Sequence, residues 1–376
     1  MTQYIGNIPD SAKDKLLIVD NSYKPDDNFL NNGHGLLNQR KFSSVAYAGS
    51  YVAAQVADSW GFYSSRGGWT VERDEVDVPS IDQAGVQIPM SFHLKATTAY
   101  TTNLETGLGF GIAGKYIEPH VGDYLCISFW MKSNVSGETI GWGVNNAHQT
   151  YTNRETLTGT ISNVADDTWE KKTILIPMDY THGSDWEYGE HAGLTFILCF
   201  GTSWATQADG SWNYGTNTPY SVNSFNLQAA VNNYIKIAGM KIEGGRLATQ
   251  LIVPDYERAL ERGLNYFEIL ESDRAPSYAR IGSGHMRTAA TGEWIIPCHR
   301  KQGAAKRVAD SGYATFRIYT ANASKTITSL TWPSESTPDC VVAQTGGSAA
   351  VAGQGGGLLG DVNDHWYIHI ASTCGG

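Results

Sequence analysis

Short apolar runs recur along this chain from residue 28 to about residue 249, separated by Gly, Asn, Asp and Pro. In 124-131 every second residue from Leu125 to Met131 is apolar, which is typical of a strand with one buried face. The run 194-200 is apolar on both faces apart from Thr195. It predicts a central strand whose outer face is also covered. Successive short strands of this kind predict an all-β fold.

Within 234-242 the alternation changes phase. The apolar set shifts by one position across Gly239. One extra residue in one strand of a pair produces such a shift, so we expect a β-bulge at Gly239.

Helical periodicity is found in the segment 255-271. Its heptad-spaced positions are Tyr256, Leu260, Gly263, Phe267 and Leu270. Two heptads are too few to hold a coiled coil alone. An oligomer seam and a connector helix packed on a neighbouring β domain are therefore both open.

Alternating runs return after Pro276, and they predict strands at 313-319, 326-332, 339-344 and 365-371. The Gly- and Ala-rich stretch 346-360 predicts a mobile loop. The chain then divides into four parts: a polar arm or attachment segment at 1-27, a large β domain at 28-250, a connector helix and candidate oligomer seam at 251-272, and a small antiparallel β domain at 273-376.

Charge and cysteine content narrow the function. The 376 residues carry a formal net charge of -10, the wrong sign for neutralising phosphates, which argues against nucleic acid and anionic lipid as partners. No run approaches the roughly 20 apolar residues that span a bilayer, so we expect no membrane insertion. The five cysteines are widely separated and form no CxxC pair, which favours buried free thiols over a zinc or redox site.

Several segments resemble, in order, the carbohydrate-binding-module-like proteins encoded in phage and prophage tail-fibre loci. The segment 28-42 contains an Asn-Gly, an apolar step and Gln-Arg, and 51-62 contains an aromatic residue followed by Ala-Asp-x-Trp. The segment 234-267 runs from a strand ending in Lys-Ile-Glu-Gly-Gly to a short helix ending in Tyr-Phe. The segments 127-142 and 167-176 are also similar to the family.

This resemblance implies a jelly-roll β-sandwich displayed on a virion as a tail-fibre or receptor-binding protein, assembled in the host cytoplasm and often trimeric. The partners it implies are bacterial surface polysaccharide and other virion proteins. A homotrimer suits weak glycan sites, because several copies that engage together gain avidity. The alternatives are a purely structural virion component, such as a head fibre or fibre adaptor, and a glycan depolymerase.

Sugar recognition needs an aromatic ring face with amides or carboxylates beside it. The loop 201-223 offers both, and its candidate glycan-binding residues are Trp204, Asp209, Trp212, Asn213, Tyr214 and Tyr220. Packing of these aromatic rings against the sandwich is the alternative.

A second loop, 179-191, offers Trp186 and Tyr188 among several carboxylates. Carboxylates are ligands that calcium prefers, but their spacing follows no ligand motif. We therefore expect a solvated loop and no cofactor, with a structural calcium ion as the alternative.

No sequence motif indicates catalysis. Hydrolase, metalloprotease and phosphate-loop motifs are absent from the sequence. Glycoside hydrolysis needs two carboxylates about 5 to 9 Å apart, and nothing in the sequence pairs two of them. We predict a non-enzymatic protein with no catalytic and no metal-binding residues.

Overall fold

The computed structural model describes residues 28-264 apart from short gaps, and ten strand segments between 267 and 372. The gaps before 264 are 39-42, 49-51, 58, 101-104, 148-150, 163-164, 190-191, 202-207 and 216-217. The predicted arm at 1-27 lies outside the described residues. No helix in the described part is both long and apolar enough to cross a bilayer.

Two antiparallel sheets pack face to face between residues 44 and 244, as the predicted β-sandwich requires. In spatial order the first sheet contains β1 (Ser44–Tyr47), β4 (Trp69–Asp74), β5 (Ser91–Ala96), β13 (Tyr234–Gly244), β7 (Tyr124–Ser133) and β10 (Glu170–Pro177). The second sheet contains β12 (Asn213–Gly215), β9 (Arg154–Ser162), β8 (Thr139–Asn145), β11 (Ala192–Cys199), β6 (Thr106–Ala113), β3 (Trp60–Ser64) and β2 (Val52–Ala57). The chain crosses repeatedly from one sheet to the other, which gives the jelly-roll arrangement.

The hydrophobic core fills the space between the two sheets. The alternating residues of β7 from Leu125 to Met131 are fully buried, as predicted. Strand β11 lies between β6 and β8, which confirms that it is central, and its Phe196 and Leu198 are fully buried. Each side chain buried in this way contributes about 1.5 to 3 kcal/mol. Cys126 and Cys199 are buried free thiols.

The predicted bulge is present in β13. The register of β13 against β7 shifts between Ala238 and Lys241, and Gly239 has a φ of 56°. A side chain at Gly239 would also clash, because its Cβ would lie 2.7 Å from the Ile88 Cδ1 atom. Glycine therefore satisfies both the backbone conformation and the close approach.

The part of the chain that the structure describes has two short helices, of which the sequence predicted one. Helix α1 (Ile81–Ala84), which the sequence analysis missed, starts with a capping box formed by Ser80 and Gln83. Helix α2 spans Tyr256–Leu264. Single turns of 3-10 helix are found at Gly114–Tyr116, Glu118–His120, Tyr151–Asn153, Gly183–Asp185 and Leu227–Ala229.

The helix predicted over 255-271 is wrong beyond Leu264. The residues Phe267–Ser272 form strand β14, which pairs with β23 (Trp366–Ser372). Gly263 and Asn265 weaken a helix here, and pairing with a distant strand overrides the local periodicity. The heptad seam therefore does not continue through Phe267.

The C-terminal strands form two antiparallel sheets. One contains β14, β23 and β17 (Ala305–Arg307). The other contains β19 (Ala323–Thr326), β18 (Phe316–Thr320), β22 (Gly355–Gly360), β15 (Ala279–Met286), β16 (Thr291–Pro297), β21 (Cys340–Gly346) and β20 (Ser329–Thr331).

The loop predicted over 346-360 is wrong at its end. The residues Gly355–Gly360 form a strand between β15 and β18. Glycine has no side chain to pack, yet it retains the backbone donor and acceptor that a sheet needs. The residues 347-354 lie outside the described part of the chain.

Candidate functional site

A buried carboxylate, that of Glu155 in β9, holds the segment 180-186. Its side chain is 1% exposed and accepts hydrogen bonds from the backbone N–H groups of Thr181 (2.8 Å) and His182 (3.1 Å). The Thr181 hydroxyl (3.2 Å) and the Trp186 indole N–H (3.2 Å) also donate to it. Burial by itself would raise the pKa of Glu155, but these hydrogen bonds outweigh it and hold the pKa below its usual value. Glu155 is therefore an ionised anchor for this segment.

Three aromatic rings pack above that anchor. Tyr180 and Trp186 stack with ring centroids 3.8 Å apart, and both are buried. Trp212 packs edge-on against both rings, and its indole N–H donates to the Pro177 carbonyl at 2.8 Å. The loops 179-191 and 201-223, which the sequence treats separately, thus meet in one cluster. The buried rings of Tyr180 and Trp186 are therefore covered by each other and by Trp212.

An exposed aromatic pair lies at the margin of this cluster. Tyr214 is 41% exposed and stacks on His182 with centroids 3.8 Å apart. Its hydroxyl donates to the Asp185 Oδ2 atom at 2.7 Å, and the Asn153 amide donates to the Asp185 Oδ1 atom at 3.3 Å. The bond to Asp185 raises the pKa of Tyr214, so the hydroxyl stays protonated. We call Tyr214, His182, Asp185 and Asn153 the platform.

The remaining predicted residues of the loop 201-223 occupy different surroundings. Asp209 accepts hydrogen bonds at 2.8 Å from the Ser221 hydroxyl and the Asn223 amide. These bonds join two parts of the loop 201-223 to each other. Tyr220 is 4% exposed, which leaves no ring face for a ligand. Asn213 is half-buried on β12, and Trp204 lies outside the described residues.

Tyr188 and Trp186 belong to the interior side of the cluster. The hydroxyls of Tyr188 and Tyr180 lie 2.7 Å apart. Trp186 is 5% exposed, so its ring is a packing element. Of the aromatic candidates in the described residues, Tyr214 is exposed, whereas the others are buried or half-buried.

Part of the loop 201-223 is packed on the outer face of the second sheet. A Cβ at Gly143 would lie 2.3 Å from the Pro219 carbonyl oxygen, and one at Gly141 would lie 2.7 Å from the Ser224 Cβ atom. Glycines in β8 thus let the segment 218-224 lie directly on the sheet. This packing fixes the far end of the loop that carries Tyr214.

Four residues that build the site were missed from the sequence: Asn153, Glu155, Tyr180 and His182. For Glu155 a signal existed, because it precedes Leu157 by two positions in β9 and therefore shares its inward face. His182 carries no such signal, since its stacking partner is 32 residues away along the chain. Among the described residues no group of His, Cys, Asp or Glu is arranged to hold a metal ion.

No protein-family model matches the chain, and no curated protein matches it in sequence. Among solved structures it is similar to a family 11 carbohydrate-binding module from Clostridium thermocellum in complex with a β-1,3-1,4-mixed-linked tetrasaccharide, at 15% identity and a TM-score of 0.27, covering 55% of this chain and 99% of that one. It is also similar to the CBM22-1 xylan-binding domain from Paenibacillus barcinonensis, at 12% identity and a TM-score of 0.27, covering 60% and 99% of the two chains.

A third similar structure is an arabinose-bound α-L-arabinofuranosidase, at 9% identity and a TM-score of 0.29. The match covers 54% of this chain and 26% of that enzyme. This chain therefore spans nearly the whole of the two modules but about a quarter of the enzyme.

Proposed function

We propose that this chain binds glycan at the platform and does so as a phage tail-fibre or receptor-binding protein that adheres to bacterial surface polysaccharide. The observation that supports glycan binding is the exposed Tyr214 ring, stacked on His182 and hydrogen-bonded to Asp185. A pyranose presents a C–H face that an aromatic ring can cover and hydroxyls that amide and carboxylate oxygens can bind. The platform offers both kinds of contact on one surface.

Pre-organisation favours this surface as a binding site. His182 is held through its backbone N–H by the buried Glu155, and Tyr214 lies on β12, which pairs with β9. The fold thus fixes the positions of the His182 and Tyr214 rings before a ligand binds. A rigid site loses less entropy on binding than a mobile loop.

We propose adhesion in preference to hydrolysis. The platform supplies one carboxylate, Asp185, and Tyr214 and Asn153 already donate to it. Retaining and inverting glycosidases both need a second carboxyl group across the scissile bond.

Copies of the chain would act together on the virion. We assign the arm at 1-27 to attachment to other virion proteins and propose a homotrimer. Three weak sites on one particle gain avidity when they engage the same polysaccharide.

A glycan array probed with the full chain tests the binding proposal. We expect retention on bacterial surface polysaccharides, and a loss of about tenfold or more in affinity for Tyr214→Ala, because the stacking face is removed. Leu247→Ala, which removes another exposed apolar side chain outside the platform, is the control and should bind as the original chain does. Equal binding by both variants, or no binding by the intact chain, would contradict the platform.

Adsorption of phage tests the virion assignment separately. The purified chain should compete with the phage that encodes it for host cells, and the Tyr214→Ala variant should compete less. Absence of the chain from purified virions by mass spectrometry would refute the tail-fibre role while leaving glycan binding intact.

A further inference from the structure

A concave surface lies on the outer face of the first sheet, away from the platform at the β12 edge of the second sheet. It is a cleft of about 140 Å³ between β7 and the segments 83-88 and 249-251. We call it the outer cleft. A cleft of this size is suited to one sugar ring and not to a long chain.

The bulge in β13 explains why the cleft exists. At Gly239 the strand carries no side chain, so Ile88 and Leu251 close over the outer face of the sheet. The segments 83-88 and 249-251 are joined to each other, because the Gln250 amide donates to the Gly85 carbonyl at 2.8 Å. The cleft is therefore formed by the fold itself and needs no ligand to open it.

The lining combines an apolar wall with a few polar groups. Trp130 is half-buried and packs against the apolar cluster that includes Ile88 and Leu251. Lys171 lies directly opposite Trp130 in the β10–β7 pair, so both side chains project from the same face of the sheet. No hydrogen bond or ion pair to another described residue engages the Ser128 hydroxyl or the Lys171 ammonium. Ligand pockets show this mixture of apolar surface and few converging polar groups.

The charge in the outer cleft is positive, although the chain carries a net charge of -10. Lys171 is the charged residue among those that line the cleft. The neighbouring Lys241 is buried and its ammonium lies 3.0 Å from the Glu243 carboxylate, so this pair adds no net charge. A small anion is thus favoured over a neutral ligand or a cation.

We propose that the outer cleft binds one carboxylated sugar ring, a hexuronate, either free or as a unit of a polysaccharide. The C–H face of the ring would pack on Trp130 and its carboxylate would bind the Lys171 ammonium. Ser128 and Gln250 would bind its hydroxyls. This site is independent of the platform and does not rest on Tyr214.

Isothermal titration of the full chain with D-glucuronate, D-glucose and acetate tests this assignment. We expect glucuronate to bind at least about tenfold more tightly than either other probe, because glucose lacks the charge and acetate lacks the ring. Lys171→Gln should reduce the affinity for glucuronate to that for glucose.

Two variants serve as controls. Lys95→Gln removes another lysine from the outer face of the same sheet but outside the cleft, and should leave glucuronate binding unchanged. Tyr214→Ala should also leave it unchanged, which separates this site from the platform. Equal affinities for glucuronate and glucose, equal affinities for glucuronate and acetate, unaltered binding by Lys171→Gln, or no binding of glucuronate would each overturn the proposal.

Discussion

Glu155 and Asp77 are two carboxylates with a shared task and opposite surroundings. Each accepts an indole N–H, from Trp186 at 3.2 Å and from Trp169 at 3.1 Å respectively, and each fastens a connecting segment to a sheet. The Glu155 side chain is 1% exposed, and its other hydrogen-bond donors are the backbone N–H groups of Thr181 and His182 and the Thr181 hydroxyl. The His182 Nδ1 atom lies 3.5 Å from the same carboxylate. The Asp77 side chain is 33% exposed and belongs to the outer face of the first sheet.

The other partners of the Asp77 carboxylate are cations. The Lys132 ammonium lies 3.0 Å from its carboxylate and the Lys236 ammonium 2.6 Å from it. Lys236 also binds Asp74 at 2.7 Å. A fold can thus hold a loop either by dipoles around a buried charge or by screened Coulomb attraction at the surface. Loss of the Glu155 carboxylate should lower the free energy of unfolding strongly and by the same amount at every salt concentration. Loss of the Asp77 carboxylate should lower it less, and that loss should depend on salt.

The largest effect should follow from Glu155→Gln. We expect the free energy of unfolding to fall by about 2 to 4 kcal/mol, because the amide cannot accept from all the buried donors and some are left without a partner. Urea unfolding at low and high salt should give the same loss. Glycan binding at the platform should fall with it, since His182 loses its support.

Glu187→Gln is the control for that change, because Glu187 is an exposed residue of the same loop, 179-191. It should alter the free energy of unfolding by no more than about 0.5 kcal/mol. A similar small change for Glu155→Gln would show that the four hydrogen bonds are not an anchor.

A smaller effect is expected for Asp77→Asn. The loss should be about 1 kcal/mol at low ionic strength, as for other partly exposed ion pairs. It should shrink in about 1 M salt, where the Debye length is about 3 Å. A loss that is unchanged by salt would remove the distinction between the two anchors.

The smallest effect should appear in acid, at Asp74. Burial would raise the pKa of this carboxyl, but the Lys236 side chain and the backbone N–H groups of Asp77 and Val76 lower it from 3.8 to about 2. The ionised form therefore stabilises the fold fully above pH 3.8, and this contribution is lost as the pH falls to about 2. The difference in stability between the original chain and Asp74→Asn should close over that interval. A difference that persists at the acid end would show that it does not depend on ionisation.

Strand periodicity predicted much of the sandwich but did not predict how its loops meet. The burial of β7, the central position of β11 and the bulge at Gly239 follow from local alternation, because each depends on which face a residue occupies. The strand Phe267–Ser272 does not, since its residues fit a helical spacing equally well and pairing with a distant strand decides the outcome.

The platform illustrates the same limit. Tyr214 was identified in the sequence, and so were the carboxylates of the loop 179-191 that contains Asp185, but as parts of separate loops. Their contact depends on the pairing of β12 with β9 and on the buried Glu155, which join segments about 30 residues apart. Nor does the sequence reveal that neighbouring residues Trp212 and Tyr214 differ in exposure, because that depends on what packs above β12.

The side chain of Asn28 has a mechanical consequence for the sandwich. Its amide donates to the Met240 carbonyl and its oxygen accepts from the Ile242 N–H, each at 2.9 Å, while Arg262 donates to its backbone carbonyl at 3.1 Å. These hydrogen bonds therefore join the segment before the first strand of the sandwich to its last strand, β13, and to helix α2. Tension applied along the polypeptide would load these hydrogen bonds first. The two sheets would not be stretched as long as the bonds hold.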